Sequence, residues 1–327
     1  MNRHIEEIVL QSTGATAMTS RQLIQTLWSG YGEIVKVGLV GSKWATAVLK
    51  YIILPEQSDH PRGWNSDRSH ARKVRSYEVE MHWYRHWSRH CDATFRVPAC
   101  YAASSDGHED VIVLEDLDTA GFSLRKSELD KRQVKACLNW LAAFHATFLG
   151  AVPEGLWPTG TYWHLATRPD ELAAMSDTAL QEAAPRIDQL LSDCPYQTLV
   201  HGDAKVANFC FSSDGRRVAA VDFQYVGGGC GMKDVAYLLG SGLDEQACER
   251  WQCELLDHYF SALKDALMRK GRVEIAFDDL EACWRALYGV AWADFHRFLQ
   301  GWAPTHTKIN GYSERLVADV LRQLQLS

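Results

Sequence analysis

Two short stretches in the second half of the chain decide how the sequence is interpreted. They are LVHGDAKVANF at 199–209 and VAAVDFQ at 218–224. Each opens with apolar residues typical of a short buried strand, and polar side chains follow where that strand ends. The sequence therefore predicts that two neighbouring strands carry Asp203, Asn208 and Asp222 to one site.

The chemistry of these three side chains is that of phosphoryl transfer. This reaction needs a carboxylate to orient the attacking hydroxyl, magnesium to neutralise the phosphates, and a cation on the phosphate chain. Asp203 is predicted to accept the hydroxyl proton. Asn208 and Asp222 are predicted to bind Mg²⁺ through oxygen atoms, the ligands that this ion prefers. Either stretch alone would fit an ordinary turn or strand end, whereas the two together favour a kinase.

The stretches resemble the catalytic loop, H-R-D-x-x-x-x-N, and the metal-binding segment of protein-kinase-like phosphotransferases. The sequence HGD, with Gly202 in place of Arg, resembles the loop of the aminoglycoside phosphotransferases and choline kinases. The chain as a whole resembles most the ecdysteroid kinase-like (CHK-kinase-like) branch. The segments that carry this resemblance are SYEVEMHWY at 76–84, VLEDLDTAGF at 113–122, LAAFHATF at 141–148, HGD at 201–203 and KDVAYLL at 233–239. The resemblance spans about residues 25–300. It implies an α+β, two-lobed kinase-like fold, with an N-terminal antiparallel sheet plus one helix and a larger, mainly helical C-terminal lobe.

Lys205 departs from this branch, in which we expect Trp, His or another residue at the same position. It matches the lysine of protein-kinase loops, which can reach the γ-phosphate and stabilise the transition state. The alternative is a loop lysine in water. We assign Lys205 to the catalytic residues together with Asp203.

The path from Asp222 to Asp234 is short and rich in glycine, and no APE motif follows. It leaves no room for the activation loop of a protein kinase. We therefore expect a small-molecule hydroxyl acceptor. Asp234 either caps the helix that it opens or, as the resemblance implies, braces the catalytic loop from beneath.

The predicted ATP clamp begins at Lys50, which ends the apolar run AVLK and compares with the lysine that holds the α- and β-phosphates in kinases. A buried lysine needs an acidic partner. The resemblance favours Glu80 in this role, with Glu78 as the alternative. Gly30 and Gly32 stand between two predicted strands, where they either let backbone N–H groups approach phosphate or form a plain hairpin turn.

The hinge between the lobes is predicted at Glu115 and Leu117, whose backbone groups would bind adenine. Side chains there do not distinguish ATP from GTP. Hydrophobic patterns predict strands near residues 23–28, 34–40, 45–54, 95–98 and 111–114, a polar loop over 55–70, and helices over 71–90, 129–149, 170–192, 244–270, 277–301 and 313–326. The change from strands to helices predicts an ATP-clamping lobe, 1–116, and a catalytic and acceptor-binding lobe, 117–327.

The acceptor is the least determined part of the prediction. Trp292 and Asp294 are the predicted contacts, since an aromatic face and a carboxylate suit a cation such as choline. A packed helix with Trp292, Phe295 and Leu299 facing inward explains the same residues. Amino-alcohols, aminoglycoside-like compounds and steroid-like alcohols all remain open.

Composition argues against other classes of protein. A net charge of −7 disfavours binding to nucleic acid. No apolar run is long enough for a transmembrane helix, and the first residues, MNRHIEEIVLQSTG, do not resemble a signal peptide. Nine cysteines without a CxxC pair fit reduced thiols in a cytoplasmic protein. The oligomeric state is not predicted.

The sequence thus predicts a small-molecule kinase that uses ATP and Mg²⁺. One alternative is a nucleotide-binding sensor or scaffold of the same fold without catalysis. A weaker alternative is a metal-dependent hydrolase built on His201 and Asp203, which would act without ATP.

Overall fold

The computed structural model describes residues 3–27, 30–53 and 67–326. Its N-terminal part is an antiparallel sheet with the strand order β1-β2-β3-β5-β4. The strands are β1 (Ala17–Thr26), β2 (Gly32–Val40), β3 (Thr46–Ile53), β4 (Cys100–Ser105) and β5 (Glu109–Glu115). Side chains alternate across β3, so Leu49 packs on helix α1 (Arg3–Thr13) while Lys50 points to the opposite face.

Helix α2 (Asp67–His82) crosses that opposite face and continues into a π-helical turn, Trp83–Trp87, and a 3-10 turn, Ser88–His90. Tyr77, Met81 and Tyr84 are buried along one side, as their spacing predicts. Of the loop predicted over 55–70, residues 55–66 lie outside the described ranges, and the remainder belongs to α2.

The strand predicted at 95–98 is wrong, because the fourth strand is Cys100–Ser105. Phe95 and Val97 are buried, but the backbone of this segment bonds to the helical part of the molecule and forms no strand of the sheet. The carbonyl oxygen of Arg96 accepts from Ala220 N–H at 3.0 Å and from Trp140 Nε1 at 2.9 Å. The apolar pattern correctly indicated a buried segment. Its backbone bonds to Ala220 and Trp140, however, keep it from forming a strand of the sheet.

The remainder of the chain is mainly helical. Its helices are α3 (Lys131–Phe148), α4 (Pro169–Ala173), α5 (Thr178–Ser192), α6 (Met232–Gly242), α7 (Glu245–Arg269), α8 (Phe277–Trp302) and α9 (Gly311–Leu326). Asp130 and Gln133 form a capping box that fixes the start of α3. The single helix predicted over 170–192 is in fact two, because the Asp177 side chain accepts from Leu180 N–H and starts α5 anew. The predicted architecture, a sheet with a crossing helix followed by a larger helical part, is confirmed.

No helix in the described ranges combines the length and the hydropathy that a membrane span requires.

Four short strands position the two stretches that dominate the sequence. Strand β6 (Thr198–Val200) pairs with β9 (Gly227–Gly229), and β7 (Phe209–Phe211) pairs with β8 (Val218–Ala220), both antiparallel. Residues 201–208 connect β6 to β7, and residues 221–226 connect β8 to β9. The first connection begins at β6 and the second ends at β9, which pairs with β6; the first ends at β7 and the second begins at β8, which pairs with β7. The two segments therefore run side by side.

Gly202 allows these two segments to approach closely. Its φ is +78°, and a Cβ built on it would lie 2.0 Å from the carbonyl oxygen of Tyr225. A side chain at this position would therefore clash with the backbone of Tyr225. It would also have to adopt a left-handed backbone conformation, which glycine adopts most easily. The glycine of the HGD motif is required by the packing of one segment on the other.

We predict that Gly202→Ala lowers the free energy of unfolding by about 3 kcal/mol or more, since a backbone clash is added to the conformational cost. Gly271→Ala is the matched control, because Gly271 has a φ of +67° but a Cβ built on it would meet no atom within 4 Å. That substitution should cost about 1 kcal/mol. Urea unfolding of both variants measures the difference, and equal losses would show that the approach to Tyr225 does not constrain the loop.

Candidate active site

A cavity of about 900 Å³ lies between the sheet and the helical part. The sequence-predicted residues that line it are Lys50, Glu80, Glu115, Leu117, Asp203, Lys205, Asn208 and Asp222. They come from β3, α2, the end of β5 and the two connections described above. Side chains that are distant in the sequence thus face one common space.

Lys50, on strand β3, connects the sheet to α2 and to the segment that carries Asp222. Its buried Nζ donates to Glu80 Oε2 at 2.5 Å and lies 3.5 Å from Asp222 Oδ1. Burial opposes the charged form, but the Glu80 and Asp222 carboxylates hold the pKa of Lys50 above its ordinary value. Glu78, the alternative partner, is on the exposed side of α2 and pairs with Arg75 at 3.0 Å. The acid beside Lys50 is therefore Glu80.

The loop after β6 is anchored by Asp234 of α6. The buried Asp234 carboxylate accepts from the backbone N–H groups of His201, at 2.6 Å, and Gly202, at 3.0 Å. It also accepts from His145 Nε2 of α3 at 3.1 Å. The N-cap of α6 is Gly231, which makes no side-chain cap. Of the two alternatives for Asp234, the geometry matches the brace beneath the loop.

His201 ties this loop to the segment that carries Asp222. Its Nε2 donates to the carbonyl oxygen of Val221 at 3.1 Å, and its Nδ1 accepts from Asp203 N–H at 3.3 Å. The two bonds together define one tautomer of the ring, with the proton on Nε2. His201 is thus buried between the two segments and holds their spacing.

Asp203 is buried at the bottom of the cavity. Its Oδ2 accepts from Lys205 Nζ at 2.8 Å and from Asn208 Nδ2 at 3.0 Å. Its Oδ1 is buried and has no hydrogen-bond partner among the described residues. Burial raises the pKa of Asp203 even though Lys205 opposes the shift. A buried carboxylate oxygen without a partner is costly, so this atom is suited to a group supplied by a ligand.

Asp222 adopts a φ of +70°, the left-handed region that Asp tolerates better than most residues. Gln224 Nε2 donates to its Oδ1 at 2.7 Å. Burial would raise the pKa of Asp222, but the ammonium groups of Lys50, Lys205 and Lys73 hold it below its ordinary value. Its neighbour Phe223 is buried and fixes the segment by stacking on the Trp83 ring at 4.4 Å.

The donor atoms in this region suit a hard divalent cation. The amide nitrogen of Asn208 is turned to Asp203, which directs the amide oxygen away from it. The Asp222 carboxylate, which lines the same cavity, adds further oxygen atoms. Within the described ranges, no three His, Cys, Asp or Glu side chains form a complete cage for a metal. Mg²⁺ commonly uses one or two carboxylates and completes its coordination with water and phosphate.

The β1–β2 turn contains the two glycines of the predicted phosphate loop. Leu27 N–H donates to the carbonyl oxygen of Gly32 at 2.8 Å, and a Cβ on Gly32 would lie 2.0 Å from the Tyr51 carbonyl oxygen. Gly32 is therefore required by packing on β3. Among the described residues of this turn, Leu27 and Tyr31 line the cavity, whereas Gly30 and Gly32 do not. Residue 29 of the predicted loop and residue 28 of the predicted strand before it lie outside the described ranges.

The predicted hinge lies at the edge of the cavity. Glu115 accepts from the Arg96 guanidinium and, at 3.0 Å, from Ala99 N–H. Its carboxylate is thus committed to the segment before β4. Leu117 is buried and also lines the cavity.

Trp292 and Asp294 do not line the cavity, and this geometry corrects the predicted acceptor contacts. The Trp292 ring is buried against Gly240 and Tyr312. Asp294 is also buried, where it accepts from Trp163 Nε1 at 2.9 Å and from Arg297 at 2.7 Å. The alternative interpretation is right that Trp292, Phe295 and Leu299 are buried, but only Trp292 packs away from the cavity, because Phe295 and Leu299 line it.

A different set of aromatic residues lines the cavity at the end formed by the helices. We call it the aromatic wall, and it consists of Tyr162, Tyr237, Phe295, Phe298 and Trp302. The last three share one face of α8 at spacings of three and four residues. This periodicity was the signal in the sequence, but the set Trp292, Phe295 and Leu299 has the same spacings and shares Phe295 with the wall.

Besides the aromatic wall, Lys73 was also missed by the sequence analysis. Its Nζ lines the cavity and donates to Gln224 Oε1 at 2.8 Å. Burial and the nearby Lys50 lower the pKa of Lys73 to about 8. The signal was its position on α2, four residues before Tyr77 and seven before Glu80, which places all three on one helical face.

Comparison with known proteins gives the family. The profile of the phosphotransferase enzyme family matches residues 66–273, which is more than half of the chain. A search of curated proteins found no match.

Two solved structures show the same fold. Amicoumacin kinase hAmiN, in complex with AMP-PNP, Ca²⁺ and Ami, covers 99% of this chain and 96% of its own, with 14% identity and a TM-score of 0.55. The microcompartment-associated aminopropanol kinase covers 97% and 94%, with 15% identity and a TM-score of 0.51. They confirm the predicted kinase-like fold. From the match over residues 66–273 it follows that this chain belongs to the phosphotransferase enzyme family.

Proposed function

We propose that the protein is a kinase that uses Mg²⁺ and transfers the γ-phosphate of ATP to a hydroxyl group of a small molecule. One observation carries this proposal. The Lys50–Glu80 pair, Asp203, Asn208 and Asp222 face the same cavity, and they are the groups that phosphoryl transfer requires. Membership of the phosphotransferase family supports it.

The end of the cavity beside the sheet is the proposed nucleotide site. Backbone groups at Glu115 and Leu117 bind the adenine, and Lys50 contacts the phosphate chain. Glu80 holds the Lys50 ammonium in place before the nucleotide arrives, so little reorganisation is needed on binding. Lys73 adds a second cation beside Gln224 and Asp222.

Asn208 and Asp222 are the residues that would hold magnesium. The ion supplies neutralisation of the negative charge on the phosphates. The chain contributes the orientation of both ligands. Asn208 is fixed by its bonds to Asp203, and Asp222 is fixed by Gln224 and by the buried Phe223.

Asp203 acts on the acceptor. Its unpartnered Oδ1 takes the proton of the acceptor hydroxyl, while the hydroxyl oxygen bonds to the γ-phosphorus and ADP leaves. Lys205 holds the other carboxylate oxygen at 2.8 Å and places a positive charge beside the transferred group. The role of Lys205 in the sequence-based prediction thus remains part of this proposal.

A small acceptor is favoured over a protein by the path from Asp222 to Asp234. Its middle forms β9, which pairs with β6 and is largely buried, so it offers no extended loop to a polypeptide. The two solved structures of similar fold are named as kinases of amicoumacin and aminopropanol. The motifs at 76–84, 113–122 and 141–148 keep the ecdysteroid kinase-like branch as our proposed place within the family.

We predict that Asp203→Asn reduces turnover by about 10²- to 10⁴-fold, since it removes the general base. ADP release is measured with a panel of hydroxyl compounds, and binding of Mg·ATP is followed by thermal shift, which should remain. Asp278→Asn is the control, because Asp278 is exposed and lies outside the cavity lining. Equal turnover in the two variants would remove Asp203 from the mechanism. Binding of Mg·ATP without turnover of any acceptor would favour the sensor or scaffold.

Because the pKa of Lys73 is lowered to about 8, we predict that nucleotide binding depends on pH. The charged groups that act on Lys73 are Lys50, Asp222, Glu80 and Asp203. Below pH 8 Lys73 is cationic and attracts the phosphates, and the charge is lost as the pH rises through 8. The Kd for Mg·ATP should therefore increase by about tenfold between pH 7 and pH 9.

The matched variant for this experiment is Lys73→Arg, because a guanidinium stays protonated over this range. Its Kd, measured by isothermal titration calorimetry, should be nearly independent of pH. A wild-type profile that is unchanged in Lys73→Arg would assign the titration to another group.

A further inference from the structure

The carboxylates that line the cavity are all paired with cations. Glu80 pairs with Lys50, Glu115 with Arg96, Asp116 and Asp118 with Lys36, Asp203 with Lys205, and Asp222 lies 3.5 Å from Lys50. Glu80 lies on α2, and the other five belong to β5, to the segment that follows it, or to the connections 201–208 and 221–226. Among the described residues, the helical end of the cavity therefore offers no unpaired carboxylate to a ligand.

The cations of the cavity are distributed differently. Lys73, Arg72 and Lys308 line it without a carboxylate within 4.0 Å in the described part of the chain. Lys73 donates to Gln224 at the nucleotide end, and Arg72 donates to the carbonyl oxygen of Thr167 at 2.8 Å. Lys308 lies in residues 303–310, between α8 and α9. Its Nζ has ring faces as its neighbours, at 4.7 Å from the Tyr237 centroid and 5.4 Å from that of Phe295.

Lys308 lines the same cavity as Asp203 and Lys205, and it is near enough for their charges to act on it. Burial lowers its pKa to about 8, and the charges of Asp203 and Lys205 act on it in opposite directions. A partly buried ammonium without a counter-ion is unfavourable. An anionic group on a ligand at this end of the cavity would remove that cost.

The aromatic wall is already occupied by cations of the protein itself. Lys308 lies over Tyr237 and Phe295, while the Arg168 guanidinium lies 5.1 Å from the Phe298 centroid and 6.0 Å from that of Tyr162. Arg168 is held there by Glu171 at 2.9 Å. A cationic ligand would compete with these groups for the ring faces and would be repelled by Lys308, which has no acid partner among the described residues.

We propose that the acceptor carries an anionic group, such as a carboxylate, on an apolar or aromatic body that also bears the reacting hydroxyl. Lys308 binds the anion, and the aromatic wall packs against the body. The inference rests on the proposed function, and it narrows the acceptor to a class other than amino-alcohols and aminoglycosides, whose ammonium groups find no free carboxylate at this end of the described cavity.

The test uses three probes with the same ring and the same hydroxyl group. They are 4-(hydroxymethyl)benzoate, 4-(hydroxymethyl)benzylamine and 4-methylbenzyl alcohol. Calorimetry measures their binding to the full chain saturated with Mg·ADP at pH 7. The benzoate should bind at least tenfold more tightly than the amine, with the uncharged alcohol between them.

Variants at position 308 assign the preference to this residue. Lys308→Met should abolish the preference, Lys308→Glu should reverse it, and Lys308→Arg should retain it. The control is Lys43→Met, because Lys43 lies 4.2 Å over the Trp44 ring outside the cavity lining and has the same lysine–aromatic geometry. Melting temperatures confirm that each variant is folded.

Two kinds of failure are distinguished by measuring Mg·ATP binding in the same samples. Absence of Mg·ATP binding by the wild type contradicts the proposed function. If Mg·ATP binds and the benzoate is no tighter than the amine, including no binding of any probe, this inference alone is overturned. It is also overturned if Lys308→Met keeps the preference, or if that variant loses Mg·ATP affinity instead, which would place Lys308 at the nucleotide.

Discussion

The site depends first on one buried carboxylate, that of Asp234. Ionised carboxylates are costly to bury unless their oxygen atoms accept hydrogen bonds, and Asp234 accepts three, from His201 N–H, Gly202 N–H and His145 Nε2. These bonds join the catalytic loop to α6 and α3, which belong to the helical core. The loop therefore has its position before any ligand binds, and the position of Asp203 follows from it. Preorganised groups of this kind contribute most to catalysis because they do not have to move in the reaction.

A second constraint joins this loop to the sheet. The Lys50 ammonium contacts Glu80 on α2 and Asp222 on the neighbouring segment, so three parts of the chain meet at one charge. A buried ion pair of this type adds little net stability. Its value lies in geometry, since it fixes where the sheet stands relative to Asp222 and the loop that carries Asp203.

The sequence was informative where function is encoded locally. Asp203 and Asn208 lie on one loop between two short strands, and their spacing within it was recognised because it matches the H-R-D-x-x-x-x-N loop of kinases. The pairing of Lys50 with Glu80 spans β3 and α2, and only the family resemblance favoured it over Glu78. Local spacing did not suffice for α8, where Trp292 and Phe298 lie on different faces with the same periodicity. Which of the two faces lines the cavity depends on contacts with Gly240 and Tyr312, residues from other helices.

The net charge of the chain does not reveal how charged side chains are paired inside the cavity. The chain is acidic as a whole, with a net charge of −7. Within the described ranges, however, the acids that line the cavity are all paired, and three of its cations have no described carboxylate within 4.0 Å. Net charge governs long-range behaviour, whereas selectivity depends on the groups that a ligand touches. Lys50 and Lys205 are neutralised by neighbouring acids, but Lys308 has aromatic rings in place of an acid. The same residue type is therefore paired with an acid in one position and packed on aromatic rings in another, and this difference arises only from the fold.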